Sequence, residues 1–284
     1  MISFPNAKIN LGLQVLRKRN DGFHDIETLM FPIGLCDVLE ILESNTAEST
    51  FKCTGIKIGG SLPASENATA VYANGQHDNL VIKAYQLLKN DLELPPLYIH
   101  LHKAIPAGAG LGGGSADSAF ALKMLNEIFH LNLKTEQIHT YARRLGSDCA
   151  FFIQNKALLA TGRGEILHPS PVTLTGYFLY LIKPDVHITT AEAYAWVKPE
   201  ANVESLTVVL NKPIIEWKHW LKNDFEEPVF RNHPELKDIK DTFYRHNALY
   251  ASMSGSGSAI YGLFDHEPEN IDFPGDCFCW KEWL

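Results

Sequence analysis

A run of glycines in the middle of the chain has the composition of a phosphate-binding loop. Residues 106–115 read Pro-Ala-Gly-Ala-Gly-Leu-Gly-Gly-Gly-Ser, between a strand-like stretch and an apolar helix-like stretch. Glycine permits backbone angles that other residues resist and lets the main chain approach a ligand closely. The start of a helix adds unpaired N–H groups and a positive dipole end. The segment therefore predicts an anion cradle, and the plain alternative is a flexible connection.

The spacing of these glycines excludes two common phosphate loops. No Lys-Ser or Lys-Thr pair follows them, so the segment is not a Walker A loop. The spacing also differs from that of the dinucleotide-binding fingerprint.

Three polar residues stand out against apolar surroundings. Lys8 and Asn10 alternate with apolar residues in a strand predicted over residues 7–16, so their side chains share one face. Taken alone, this pair is explained by a solvent-facing strand surface. Asp148 precedes the apolar residues 149–152 and is either a helix cap or a buried functional carboxylate.

Two further segments carry weaker signals. The loop Met253–Ala259 contains Gly255 and Gly257 and, taken alone, is typical of a turn. Phe23 and His24 follow an Asp-Gly turn signal, which puts an aromatic ring and an imidazole just past a turn.

Composition narrows the class of protein. The 284 residues are 45% hydrophobic and 20% charged, which suits a globular chain with a sizeable core. The formal charge of −8 argues against nucleic acid as a partner. We find no export signal and no apolar run long enough to span a bilayer. The five cysteines are widely spaced and are expected to be free thiols in a reducing cytoplasm.

Periodicity predicts alternating strands and helices. The expected strands cover residues 7–16, 26–33, 38–42, 97–102, 157–161, 177–182 and 259–264, with another around 277–279. The expected helices cover residues 80–89, 115–129, 135–145, 189–197, 214–222 and 235–244. Asp78 or Asn79 is expected to cap the first of these helices, and Thr135 the third. Thr189 and Glu192 have the spacing of a capping box at the start of the fourth. The sequence pattern changes beyond Phe152, which predicts two domains, residues 1–155 and 156–284. The polar region 44–78 is expected to hold edge structure and loops.

Three segments together resemble the GHMP kinase superfamily. They are Pro5–Asn10, Pro106–Ser115 and Ser254–Ala259, in that order along the chain. The resemblance implies an α+β fold with two domains, the N-terminal one like ribosomal protein S5 and the C-terminal one ferredoxin-like. It also implies an ATP-dependent small-molecule kinase that uses Mg²⁺.

Other segments are similar to the branch of this superfamily that phosphorylates a cytidine-diphosphate-linked sugar alcohol in non-mevalonate isoprenoid synthesis. They read Ala-Lys-Ile-Asn-Leu-Gly-Leu (7–13), Arg-Asn-Asp-Gly-Phe-His (19–24), Asp-Asn-Leu (78–80), Gly-Ser-Asp (146–148) and Asn-Asp-Phe-Glu (223–226). The implied partner is this small molecule, without nucleic acid or membrane, for a monomeric or homodimeric enzyme.

The resemblance assigns roles residue by residue. Lys8 and Asp148 match the catalytic pair, and Asn10 positions the substrate. Tyr194 and Phe23 match aromatic residues that enclose cytosine, while His24 reads the base edge. The residues expected to bind ATP are Pro106, Ala107, Gly108, Ala109, Gly110, Leu111, Gly112, Gly113, Gly114 and Ser115, with Asn79 and Lys103 near the adenine. Ser115 is also the candidate Mg²⁺ ligand.

The sequence departs from the branch at two points. Phe23 replaces the usual Tyr, and Cys149-Ala150 replaces the usual Val-Pro after Asp148. Two alternatives stay open: another GHMP kinase, of the mevalonate or homoserine type, and a non-catalytic nucleotide-binding protein on the same fold.

Overall fold

The chain divides into two compact units. The structure is a computed structural model. It describes residues 1–56, 79–200, 205–273 and 275–284, together with the backbone of residues 69–72. The first unit contains residues 1–7, 35–107 and 112–155, and the second contains residues 8–34, 108–111 and 156–284. The first unit thus ends where the predicted first domain ends, whereas residues 8–34 group with the second unit. The predicted domain boundary itself stays a prediction.

Strands and helices alternate along the described residues. The strands are β1 (Ile2–Ser3), β2 (Asn6–Lys18), β3 (His24–Cys36), β4 (Val38–Glu43), β5 (Ser49–Gly55), β6 (Thr69–Tyr72), β7 (Leu97–Lys103), β8 (Leu158–Thr161), β9 (Ile166–Pro169), β10 (Phe178–Lys183), β11 (Tyr250–Met253), β12 (Ile260–Phe264) and β13 (Phe278–Trp283). The helices are α1 (Leu80–Asp91), α2 (Gly113–Ile128), α3 (Thr135–Leu145), α4 (Cys149–Gln154), α5 (Thr190–Trp196), α6 (Leu206–Leu210), α7 (Ile214–Trp220), α8 (Glu226–Asn232) and α9 (Pro234–Arg245).

The first unit packs helices against a five-stranded sheet. The strand order is β1-β4-β7-β5-β6, and β5 runs parallel to β7 while the other neighbours are antiparallel. Alternate residues of β7, among them Leu97, Ile99 and Leu101, are buried with Leu122 and Leu125 of α2. This burial of the apolar face of the strand holds α2, and with it the end of the glycine-rich loop, against the sheet.

The second unit is built around two four-stranded sheets. Their orders are β2-β3-β8-β9 and β11-β12-β10-β13. Val15 of β2 and Ile26 of β3 lie in one buried cluster with Phe178, Phe243 and Phe264. The shared core fixes the strand that carries Lys8 and Asn10 relative to the loop between β11 and β12.

Several predicted helix ends are confirmed at the level of caps. Asn79 is the N-cap of α1, because its Oδ1 accepts a hydrogen bond of 2.9 Å from the N–H of Val81. Asp78, the other candidate cap, lies outside the described residues. Thr189 and Glu192 form the expected capping box of α5. By contrast, α2 begins two residues earlier than predicted, at Gly113, and the cap of α3 is Lys134 rather than Thr135.

The solvent-facing interpretation of the first strand is wrong. β2 is buried on both faces from Asn6 to Val15, and Lys8 and Asn10 are only 3% and 2% exposed. Burial of a charged and an amide side chain is costly unless hydrogen bonds compensate it. Both residues therefore need partners inside the second unit.

Two further observations concern the whole described chain. None of the five cysteines, all of which lie within the described residues, forms a disulfide. Among the residues that the structure describes, no helix combines the length and the apolar character needed to cross a membrane.

Candidate active site

Lys8 lies in a network of buried hydrogen bonds in the second unit. Its Nζ donates to Asn10 Oδ1 at 2.5 Å and to the carbonyl oxygen of Gly110 at 2.9 Å. The amide nitrogen of Asn10 donates to Thr28 Oγ1 at 2.9 Å, and Thr28 in turn donates to the carbonyl oxygen of Gly12. These contacts hold the ammonium group of Lys8 in one orientation beside the glycine-rich loop.

The carbonyl of Gly110 joins the three segments on which the family resemblance rests. Besides Lys8, the hydroxyl of Ser254 donates to this oxygen at 2.9 Å. The approach is close: a Cβ at Gly110, where φ is +76°, would lie 1.9 Å from the carbonyl oxygen of Ser254. Only glycine tolerates both this φ and this contact. Residues far apart in sequence therefore meet at one backbone oxygen.

The glycine-rich loop leads directly into α2. Gly108, Gly110 and Gly112 all have positive φ, at +62°, +76° and +73°. Gly112 is the N-cap residue of α2, and Gly113 and Gly114 are its first two residues. The N–H groups of a first helical turn have no acceptor within the helix, and the helix dipole is positive there. This 16-residue helix thus begins with a backbone that fits a phosphate group.

Asp148 precedes α4 in the first unit. It occupies the N-cap position, yet its side chain makes no capping hydrogen bond to that helix. The neighbouring Cys149 is fully buried, and its Sγ lies 3.3 Å from Ser118 Oγ of α2. Burial raises the pKa of the Cys149 thiol, so this departure from the usual valine acts as a packing residue rather than a nucleophile.

Lys103 is held by the side chains of two aspartic acids of the first unit. Its Nζ forms an ion pair with Asp37 and lies 2.7 Å from Asp117 Oδ2. Asp37 is fully buried and also accepts the N–H groups of Ala104 and Ile105 at 2.6 and 2.8 Å. These contacts give Lys103 a structural role that sequence spacing did not reveal. Its contact with adenine stays a prediction, as does that of Asn79.

Tyr194 and His24 stack on each other in the second unit. Their ring centroids are 4.8 Å apart with planes inclined by 22°. Burial, and then the charge of Lys18, lower the pKa of His24, so its imidazole is neutral at neutral pH. A neutral imidazole offers one donor and one acceptor. Phe23 is 54% exposed, and the guanidinium of Arg163 lies 4.8 Å from its ring centroid.

The sequence reasoning missed several residues that hold these groups. It assigned no role to Thr28, Asp37 or Asp117, and it treated Ser254 only as part of a glycine loop. All four residues are buried. Thr28 and Asp117 could have been found as polar residues inside an apolar strand and helix, whereas Asp37 and Ser254 lie between elements and gave no such signal. Among the described residues no group of three or more His, Cys, Asp or Glu side chains could hold a metal ion. The predicted Mg²⁺ role of Ser115 stays a prediction.

Comparison with known proteins identifies the family. Residues 79–156 match the model of the GHMP kinase N-terminal domain, and residues 203–271 match that of the GHMP kinase C-terminal domain. The chain belongs to the GHMP kinase family and is an ATP-dependent phosphotransferase. The predicted α+β fold with these two family domains is confirmed.

Full-length relatives define a narrower group. The 4-diphosphocytidyl-2-C-methyl-D-erythritol kinases of Bacteroides thetaiotaomicron and Parabacteroides distasonis are each 48% identical to the chain, over 99% and 100% of both sequences. A crystal structure of 4-(cytidine 5'-diphospho)-2C-methyl-D-erythritol kinase matches with a TM-score of 0.74 and 30% identity, over 93% of this chain and 90% of that one. A mevalonate kinase from Methanococcus jannaschii, at 15% identity and a TM-score of 0.68, shares the fold.

Proposed function

We propose that this chain transfers the γ-phosphoryl group of ATP to the 2-hydroxyl of 4-diphosphocytidyl-2-C-methyl-D-erythritol, a step of non-mevalonate isoprenoid synthesis. One observation carries the proposal: Lys8, Gly110 and Ser254, from the three family segments, meet at a single carbonyl oxygen. The full-length relatives that bear this substrate in their names support the choice of substrate.

The glycine-rich loop fits the phosphates of ATP. Its backbone turns through three positive φ values and ends in the N–H groups of Gly113 and Gly114 at the start of α2. Mg²⁺, when bound, neutralises charge on the β- and γ-phosphates. The Ser115 hydroxyl would hold it, together with phosphate oxygens and water.

Asp148 and Lys8 supply the remaining chemistry in this proposal. Phosphoryl transfer depends mostly on positioning and charge stabilisation. Asp148 orients the attacking hydroxyl or accepts its proton as the P–O bond forms. Lys8 is the second member of the proposed catalytic pair, and Asn10 holds its ammonium in place through a 2.5 Å hydrogen bond.

Tyr194, His24 and Phe23 recognise the cytosine. The tyrosine ring supplies a face for stacking, and the neutral imidazole of His24 pairs with the mixed donor and acceptor edge of the base. Because His24 covers one face of Tyr194 at 4.8 Å, it must move aside if the base stacks on that face. Phe23, half-exposed, supplies the second ring.

The remaining proposals concern partners and location. The formal charge of −8 favours a small molecule over nucleic acid. We further propose that the enzyme acts in the cytoplasm as a monomer or homodimer.

An ADP-release assay with a panel of alcohols tests the proposal. The purified protein is given MgATP and, in turn, the cytidine-diphosphate-linked methylerythritol, mevalonate and homoserine. We expect turnover with the first alone, and a phosphomonoester on its 2-hydroxyl by ³¹P NMR. The Asp148→Asn variant, purified identically, controls for a contaminating kinase. Turnover of another alcohol would indicate a different GHMP kinase. ATP binding without turnover of any would indicate a non-catalytic protein.

A further inference from the structure

The segment Asn223–Glu226, between α7 and the first residue of α8, is largely buried in the second unit. Asn223, Phe225 and Glu226 are buried, at 3%, 1% and 8% exposure. The segment is joined to β2: the N–H of Leu13 donates to the carbonyl oxygen of Lys222, and Asp224 accepts the N–H of Val15 at 2.7 Å. It is thus fixed to the strand that carries Lys8.

Two side chains of this segment hold the end of β11 and the loop that follows it. The amide nitrogen of Asn223 donates to the carbonyl oxygens of Met253 and Gly255, both at 2.8 Å. Glu226 Oε1 accepts the N–H of Met253 at 2.8 Å and the hydroxyl of Ser252 at 3.1 Å. These are buried backbone groups, which are costly to leave without partners. The conformation of the loop therefore depends on the segment.

The same loop is bonded to the glycine-rich loop. Ser254 Oγ donates to the carbonyl oxygen of Gly110 at 2.9 Å. The N–H of Ala259 donates to the carbonyl oxygen of Ala109 at 3.1 Å. Since a Cβ on Gly110 would already collide with Ser254, the two backbones touch. A shift of the loop after β11 must therefore move residues 109 and 110.

The aromatic residue of the segment packs against the ring pair that is proposed to bind cytosine. Phe225 packs edge to face on Tyr194, with centroids 4.9 Å apart and planes at 84°. Tyr194 in turn stacks on His24. Phe225 is thus the buried support of the ring pair proposed to bind cytosine.

We infer that Asn223–Glu226 is a positioning segment with two separable effects: Asn223 sets the ATP loop through the loop after β11, and Phe225 sets the cytosine site through Tyr194. The inference rests on the proposed function for the identity of the two ligands. Neither residue touches a reacting atom, and each acts through the residues that it holds.

Equilibrium binding to the full chain tests both effects. Calorimetric titrations with MgATP and with cytidine 5′-diphosphate (CDP) are run on wild type, Asn223→Ala, Phe225→Leu and the exposed control Asn232→Ala. We expect Asn223→Ala to weaken MgATP about tenfold or more and CDP less than about twofold, since two buried carbonyls lose their donor. Phe225→Leu should weaken CDP about three- to tenfold and spare MgATP. Asn232→Ala should change neither.

The pattern distinguishes positioning from general damage. If Asn223→Ala does not fold, Asn223→Asp replaces it, because the carboxylate keeps the size and the acceptor for the N–H of Phe225 but lacks both donors. If either variant weakens the binding of MgATP and of CDP equally, or weakens neither, the inference is overturned and the proposed function stays intact. Wild-type protein that binds MgATP but not CDP refutes the cytidine part of the proposed function and the role of Phe225. The role of Asn223 is then judged by MgATP alone.

Discussion

Replacing Asp117 by asparagine should change how the stability of the protein depends on pH. Asp117 is 2% exposed and shares the ammonium of Lys103 with Asp37, so two carboxyl groups face one cation. Burial raises the pKa of Asp117 from 3.8 to about 8. The charge of Lys103 opposes this rise, and the charge of Asp37 adds to it. In the folded protein this carboxyl is therefore protonated at neutral pH, while in the unfolded chain it is ionised.

The sign of the effect follows from proton linkage. Between about pH 4 and pH 8 the folded state binds one proton more than the unfolded state at this residue. The contribution of Asp117 to stability is fully present below pH 4 and is lost as the pH rises towards 8. The loss is about 1.4 kcal/mol per pH unit in the middle of that window. The amide of Asp117→Asn has the shape of the protonated carboxyl and does not titrate, so the variant should escape this loss.

Urea unfolding followed by far-ultraviolet circular dichroism, to which helices α1, α2 and α3 of the first unit contribute, measures the difference from pH 5 to pH 8. The free energy of unfolding of Asp117→Asn relative to wild type should rise steadily with pH across this range. The exposed Asp238→Asn variant should follow wild type, whereas Asp37→Ala should be destabilised by about 3–5 kcal/mol because it removes one member of a buried ion pair. Parallel pH dependences for Asp117→Asn and wild type would refute the protonated state of Asp117.

Three other predictions concern the proposed site. Asp148→Asn should lower kcat by about 10²–10⁴ with ATP affinity nearly unchanged; in steady-state kinetics, more than half of wild-type activity would remove Asp148 from the mechanism. Tyr194→Ala should raise the KM for the cytidine-linked substrate about five- to a hundredfold and spare that for ATP, and the opposite split would mean that the ring lies elsewhere. Gly110→Ala should weaken MgATP binding about tenfold or more, because its Cβ would lie 1.9 Å from the Ser254 carbonyl oxygen. The matched control is Gly176→Ala, whose φ is also positive but whose Cβ would meet nothing within 4 Å; equal MgATP affinities of the two variants would contradict the steric argument.

Local patterns predicted most elements, and their failures have a common cause. The alternation in β2 was read correctly as a strand, but alternation normally implies one solvated face. Here α- and β-structure of the second unit covers both faces, and Lys8, Asn10 and Gln14 are buried. Only tertiary packing decides which faces of a strand are covered.

The strand β5 was missed for a related reason. It reads Ser-Thr-Phe-Lys-Cys-Thr-Gly, with a single large apolar residue, Phe51, and was expected to be edge structure or loop. It nevertheless lies between β6 and β7, paired in parallel with β7 over residues 50–55. Pairing with a strand 48 residues further along supplies its backbone hydrogen bonds, and no local propensity reports such a partner.

The candidate site illustrates what a single sequence contains and what it lacks. Glycine density and the family resemblance pointed to residues 106–115 and to Lys8, because these depend on local composition. Lys8 and Ser254, which donate to the same carbonyl oxygen, lie 102 and 144 positions from Gly110. Asn223, which holds the loop of Ser254, lies 30 positions from Met253. Local sequence patterns do not report such partners. Each of these polar side chains is buried, and a buried donor must find an acceptor. In this chain the acceptors they find are backbone carbonyls in or beside glycine-containing loops, so these buried polar side chains mark the supports of the loops that the glycines make possible.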